Sequence, residues 1–139
     1  MTTYVDTSVL TAAIFEESRS ATARDWLRRT RDRIIVSDLS GLEFAAVVSR
    51  AHRIRRFDTD AAARALASFD EIRADALPQS HGRGEFELAE RLIRDFTTEL
   101  ATADALHLAS AKNAGAALAT LDPRLAEAAR AQGVDVALG

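Results

Sequence analysis

The spacing of apolar and polar residues changes several times along the chain, and each change marks an element. Thr3-Tyr4-Val5-Asp6 is a short β-branched and aromatic run, the signature of a strand, and it stops on a carboxylate. Thr7 or Ser8 is placed to cap a helix over Val9, Leu10, Ala13 and Ile14. Ala23, Trp26 and Leu27 fall on one face of a second helix from Ser20 to Thr30, and Arg33 to Ser37 reads as a buried strand. Asp38 or Ser40 then opens a long helix through Arg53. Ala62, Ala65, Leu66, Phe69 and Ile72 follow the helical period between Thr59 and Ala76. The pattern lapses from Leu77 to Gly84, a stretch with room for a short strand. Helices are predicted over Glu85–Phe96 and Thr102–Asn113, with Gly115 suited to end the latter. A small-residue strand over Ala116–Thr120, a helix from Asp122-Pro123 through Ala131 and a last strand over Val134–Val136 complete the chain. Strands alternating with helices imply an α/β fold whose parallel sheet is covered on both faces.

The length of 139 residues suits one domain spanning 1–139, and 47% apolar with 28% charged residues excludes a disordered chain. No stretch has the roughly 18 uninterrupted apolar residues of a membrane span, and no basic-then-apolar leader opens the sequence. Without cysteine there is neither disulfide nor thiolate chemistry, so a cytoplasmic location is the expectation. The net charge of −3 means that any basic, nucleic-acid-binding surface must be local. Arginine supplies 17 of the 18 basic residues, leaving Lys112 as the single candidate for any lysine chemistry.

No phosphate-cradling glycine loop, nucleophile elbow or His-Glu-x-x-His motif is present, and His52, His81 and His107 are widely separated. What remains is acidic. Asp6 ends the first strand and Asp122 follows the Ala116–Thr120 strand, positions where an open α/β sheet binds ligands. Both are also good helix caps. Glu43 has Leu39, Ala46 and Val47 as its helical neighbours, an apolar face on which a carboxylate needs a partner; a capping box with Ser40 is the alternative. Asp104 lies in the first turn of its helix, where the dipole favours negative charge, and His107 shares its face as a packing or supporting residue. Four crowded carboxylates raise one another's pKa unless a cation neutralises them, and an oxygen-only set suits Mg²⁺ or Mn²⁺ and phosphodiester hydrolysis.

The segments Tyr4-Val5-Asp6-Thr7-Ser8-Val9-Leu10, Ser37-Asp38-Leu39 to Glu43, Ala103-Asp104-Ala105-Leu106-His107-Leu108-Ala109 and Leu118-Ala119-Thr120-Leu121-Asp122 resemble the four motifs of the PIN-domain ribonucleases. Order and spacing agree, with 37, 61 and 18 residues between successive carboxylates, and the size is most similar to the VapC-type toxins of bacterial toxin–antitoxin pairs. The resemblance implies a three-layer α/β/α domain with parallel strand order 3-2-1-4-5. It implies Asp6, Glu43, Asp104 and Asp122 as catalytic metal ligands, Ser8 and Thr120 as their hydroxyl support, and Mg²⁺ or Mn²⁺ as cofactor. It further implies an RNA substrate cut endonucleolytically, a homodimer and a small antitoxin partner. One departure is visible: Pro123-Arg124 follows Asp122, where many members carry another acidic residue.

Arg50, Arg53, Arg55 and Arg56, with His52 and Phe57 between them, form the densest basic run and are the RNA-binding candidates; a solvated helix end is the competing account. Two other functions share the acidic pattern. A receiver-type phospho-acceptor would place a lysine at the end of a late strand, whereas Lys112 falls in a predicted helix. A catalytically inactive PIN-like binding module would show no cleavage with either metal.

Overall fold

The computed structural model describes residues 1–139. Its elements, in chain order, are β1 (Thr2–Val5), α1 (Thr7–Ile14), α2 (Ser20–Arg29), β2 (Arg33–Ser37), α3 (Asp38–Arg53), α4 (Thr59–Asp75), β3 (Leu77–Gln79), α5 (Arg83–Arg94), α6 (Thr102–Asn113), β4 (Ala117–Ala119), α7 (Pro123–Ala131) and β5 (Val136–Leu138). The five strands pair in parallel in the order β3-β2-β1-β4-β5, as anticipated. No helix is long and apolar enough to cross a membrane.

The period of two along the central strands builds the layers. Tyr4, Ile35 and Leu118 face one way, into a core shared with Leu92 of α5, Leu108 of α6 and Leu125 of α7. Their chain neighbours Val5, Val36 and Ala119 face the other way, against Leu10 of α1, Ala23 of α2, Phe44 of α3 and Phe69 of α4. Each central strand is thus buried on both faces, which explains its unbroken apolar character.

Helix α3 opens at Asp38 and runs through Arg53 as expected; Ser37 caps it, its Oγ accepting the Ser40 backbone N–H at 3.2 Å, so no capping box joins Ser40 to Glu43. Two other boundaries depart from expectation for local reasons. The last strand begins two residues late. Gly133 takes a positive φ of 72°, and the Val134 N–H returns to the Ala129 carbonyl, so the ladder starts only when Leu118 pairs with Val136. Helix α5 starts at Arg83 because Glu85 Oε2 accepts the Gly82 N–H at 2.9 Å, and it stops before Phe96, whose φ is 56°.

The chain lays down β2 and β3 on one side of β1, then crosses to place β4 and β5 on the other. The strand order therefore reverses between β1 and β4, and the crevice beyond their carboxyl ends is where open α/β sheets take ligands.

Candidate active site

Asp6 follows β1 directly, and its N–H extends the ladder to the Ala119 carbonyl at 2.9 Å. It occupies the cap position of α1 yet makes no side-chain cap bond. Its carboxylate, 4% exposed, instead accepts the Ser8 hydroxyl at 2.6 Å and the Thr120 hydroxyl at 2.8 Å, both on Oδ2. Ser8 Oγ also accepts the Leu121 N–H, and Thr120 Oγ1 accepts the Asp122 N–H, each at 3.0 Å. Two hydroxyls thereby tie the turn after β1 to the turn after β4.

Glu43 enters from the second turn of α3, half-exposed. Its Oε1 accepts from Thr7 Oγ1 at 2.8 Å and from His107 Nε2. The same Nε2 stands 3.4 Å from Asp6 Oδ1, and the ring, 1% exposed, meets Tyr4 Oη through Nδ1 at 2.7 Å. Burial pushes the Glu43 carboxyl up, but the hydrogen bond and charge of His107, with the Thr7 bond, outweigh it and hold the group below its usual range.

Asp104, from the first turn of α6, behaves in the opposite sense. Burial, then the charges of Asp6 and Asp122, with a smaller contribution from Glu43, push its carboxyl up to about 6; His107 opposes them. Asp122 caps α7, its Oδ1 accepting the Arg124 N–H at 2.9 Å. The four carboxylates foreseen in the sequence thus share one electrostatic neighbourhood, centred on Asp104.

No three acidic or histidine side chains are drawn together into a ready-made ion cage. The donor set fits a hard divalent ion: oxygens only, with the bonds given above falling on Glu43 Oε1 and Asp122 Oδ1 and not on Oε2 or Oδ2.

A cleft of about 590 Å³ opens beside the carboxylates, lined by Thr7, Ser8, Glu17, Arg19, Glu43 and Leu121 among others. Arg19 is the cation of that wall. A larger concavity of about 1170 Å³ lies elsewhere, between α2 and Ile72 of α4, with Trp26 and Leu27 on its wall and none of the four carboxylates. Size alone does not locate the chemistry.

The basic run is not brought to the carboxylates. Arg50 and Arg53 stand about 10 and 15 Å along the α3 axis from Glu43. Arg53 bonds Ser49 Oγ at 2.9 Å, while the Arg56 guanidinium lies 5.2 Å from the Phe15 ring centre and 5.9 Å from that of Phe57. Arg55 has a positive φ of 62° beyond the helix end. Lys112 closes α6 and bonds Gln132 Oε1 at 3.1 Å, not at a strand end as a phospho-acceptor site would have it.

Sequence reasoning named the acidic quartet and both hydroxyls and gave His107, one helical turn from Asp104 on the same face, as a packing or supporting residue; it left Tyr4 and Thr7 outside the site.

The PIN domain family pattern matches residues 3–131. No curated protein matches the chain in sequence. Among solved structures it is similar to the Mycobacterium tuberculosis toxin VapC20, described as cleaving the sarcin-ricin loop, with 22% identity, 91% of this chain and 94% of that one covered and a TM-score of 0.72. FitAcB from Neisseria gonorrhoeae is similar at 16% identity over 96% and 95% of the two chains, with a TM-score of 0.73. VapBC2 from Rickettsia felis, bound to a DNA fragment from its promoter, is similar at 14% identity over 98% and 97%, with a TM-score of 0.72. With a family match over nearly its whole length, and with parallel strands in the order 3-2-1-4-5, this chain belongs to the PIN domain family.

Proposed function

We propose that the protein is a divalent-metal-dependent endoribonuclease acting as the toxin of a toxin–antitoxin pair. The observation that supports this reading is the electrostatic neighbourhood that Asp104 shares with Asp6, Asp122 and Glu43, in which burial and then the charges of Asp6 and Asp122 push the Asp104 carboxyl up to about 6. Such a group of acids is costly by itself and becomes favourable around a cation.

Asp6, Glu43, Asp104 and Asp122 would hold Mg²⁺ or Mn²⁺. When bound, the ion supplies the Lewis acidity that activates water and neutralises charge on the scissile phosphate. The chain's own residues have distinct tasks. Ser8 and Thr120 fix the Asp6 carboxylate through Oδ2, and Thr7 fixes Glu43. Arg19, on the wall of the adjoining cleft, would draw the RNA backbone toward the acids. Arg50, Arg53 and Arg55 would meet the strand farther out, while Arg56 braces the Phe15–Phe57 contact.

The fold neighbours support the partner side of the reading: one is a complex of toxin and antitoxin from Klebsiella pneumoniae, at 18% identity and a TM-score of 0.62. The concavity lined by Trp26, Leu27 and Ile72 would seat an apolar segment of a small antitoxin. A cytoplasmic homodimer is part of the same proposal.

Cleavage of a mixed RNA pool by the purified protein tests it. Products with 5′-phosphate ends are expected with Mg²⁺ or Mn²⁺ and none with excess chelator; Asp6→Asn and Asp104→Asn should both be inactive while folded. Cleavage that survives chelation, or persists in either variant, would contradict the proposal.

A further inference from the structure

Helix α6 is apolar through its middle, and His107 interrupts it at a point where Leu106, Leu108 and Ala109 on either side are core residues. A polar ring at that depth is unfavourable unless both nitrogens are engaged. Both are. Nδ1 meets Tyr4 Oη at 2.7 Å, and the two rings pack edge to face at 5.6 Å and 64°. Nε2 faces Glu43 Oε1 and, at 3.4 Å, Asp6 Oδ1.

The ring is not there merely to satisfy Tyr4, because Tyr4 Oη has a second partner in Ser37 Oγ at 2.8 Å. A carboxylate oxygen only accepts hydrogen bonds, so the hydrogen between Glu43 and the ring belongs to Nε2. Glu43 is otherwise a long, half-exposed side chain with many rotamers, tethered by one further bond from Thr7.

We propose that Tyr4 and His107 form a buried positioning pair in which Tyr4 fixes the ring through Nδ1 and Nε2–H holds Glu43 by Oε1, beside Asp6 Oδ1, so that Glu43 keeps Oε2 for a divalent ion. Tyr4 and His107 touch neither ion nor RNA; they act through Glu43. The inference rests on the metal-dependent reading above. Outer partners that hold ligating groups in this way are commonly worth 10- to 100-fold in metal affinity.

Mn²⁺ titration without RNA, followed by the electron paramagnetic resonance of the free ion, tests it on wild type, His107→Leu, His107→Gln and Tyr4→Phe. Thermal unfolding of each variant is recorded alongside. Leucine keeps bulk but has no donor, and its Mn²⁺ affinity should fall about 10- to 100-fold. Glutamine returns an N–H toward Glu43 and should recover much of that loss, whatever its thermal stability. Tyr4→Phe keeps the ring packed but frees Nδ1, and should weaken Mn²⁺ binding several-fold. It also carries the test should His107→Leu fail to fold.

Unchanged Mn²⁺ affinity in both His107→Leu and Tyr4→Phe would reduce the pair to a structural role and overturn the inference. Tighter binding in His107→Leu would overturn it too, by showing that the ring competes with the ion. Wild type that binds no Mn²⁺ would remove the metal-dependent reading and this inference together, an outcome distinct from the first two.

Discussion

The Thr120 hydroxyl donates to Asp6 Oδ2 at 2.8 Å, joining the residue after β4 to the residue after β1 across the point where strand order reverses. Thr120 is fully buried and Asp6 nearly so, so the bond is formed out of water and its loss leaves a charged acceptor short of a donor. Thr120→Val should cost about 1–3 kcal/mol in urea unfolding. Thr120→Ser keeps the hydroxyl and should cost much less. Equal costs for the two would mean that the methyl group, not the hydrogen bond, stabilises this junction.

Asp104 gives the apoprotein a pH signature. Its carboxyl is pushed up to about 6 from an ordinary value of 3.8, by burial and then by Asp6 and Asp122. Between those values the folded state binds more protons than the unfolded state, so this group makes stability fall as pH rises. The full penalty is present above about pH 6 and absent below about pH 4. With chelator present, Asp104→Asn should flatten that part of the curve. At pH 7 it should stabilise by about 1 kcal/mol, a figure reduced for the solvent that screens this half-exposed group. Denaturant midpoints across pH 4–8 measure it; a variant less stable than wild type at pH 7 would show that Asp104 is held by favourable contacts.

Asp122 carries two roles that substitution separates. Its Oδ1 caps α7 through the Arg124 N–H. Asparagine caps about as well as aspartate, whereas alanine costs about 1 kcal/mol. Asp122→Asn should therefore unfold like wild type, and only Asp122→Ala should be destabilised. RNA cleavage should drop in both, because both lose the charge. Full activity in Asp122→Asn would leave Asp122 as a cap alone.

Arg19 and the α3 arginines make separable contributions to binding. Arg19 lines the cleft beside Glu43, whereas Arg50 lies about two helical turns along α3. Arg19→Gln should raise KM for RNA with kcat near wild type and lower the salt dependence of binding by about one phosphate contact. Arg50→Gln should have a smaller effect on short substrates than on long ones. A larger effect of Arg50→Gln on short substrates would move the RNA path to the far end of α3.

Much of this architecture was legible because its signals are local. Asp122-Pro123 and Gly133 bound α7 where their backbone preferences say, and the Ile34-Ile35-Val36 run marks a strand buried on both faces. The edge strand β5 was misjudged by two residues, because Val134 is apolar for the sake of the core and not the ladder. The acidic quartet and its hydroxyls were visible as motif positions. The link from Tyr4 to His107 to Glu43 was not, since it joins residues 103 and 64 positions apart and each looks locally like packing.

The central claim is that one cation is shared by acids from four separate segments. Anomalous diffraction from a crystal soaked in Mn²⁺ tests it directly. The account predicts a peak within about 2.0–2.3 Å of carboxylate oxygens from Asp6 and Asp104, with Glu43 or Asp122 completing the set. A Mn²⁺ peak bound elsewhere, or none at a concentration that supports cleavage, would contradict it.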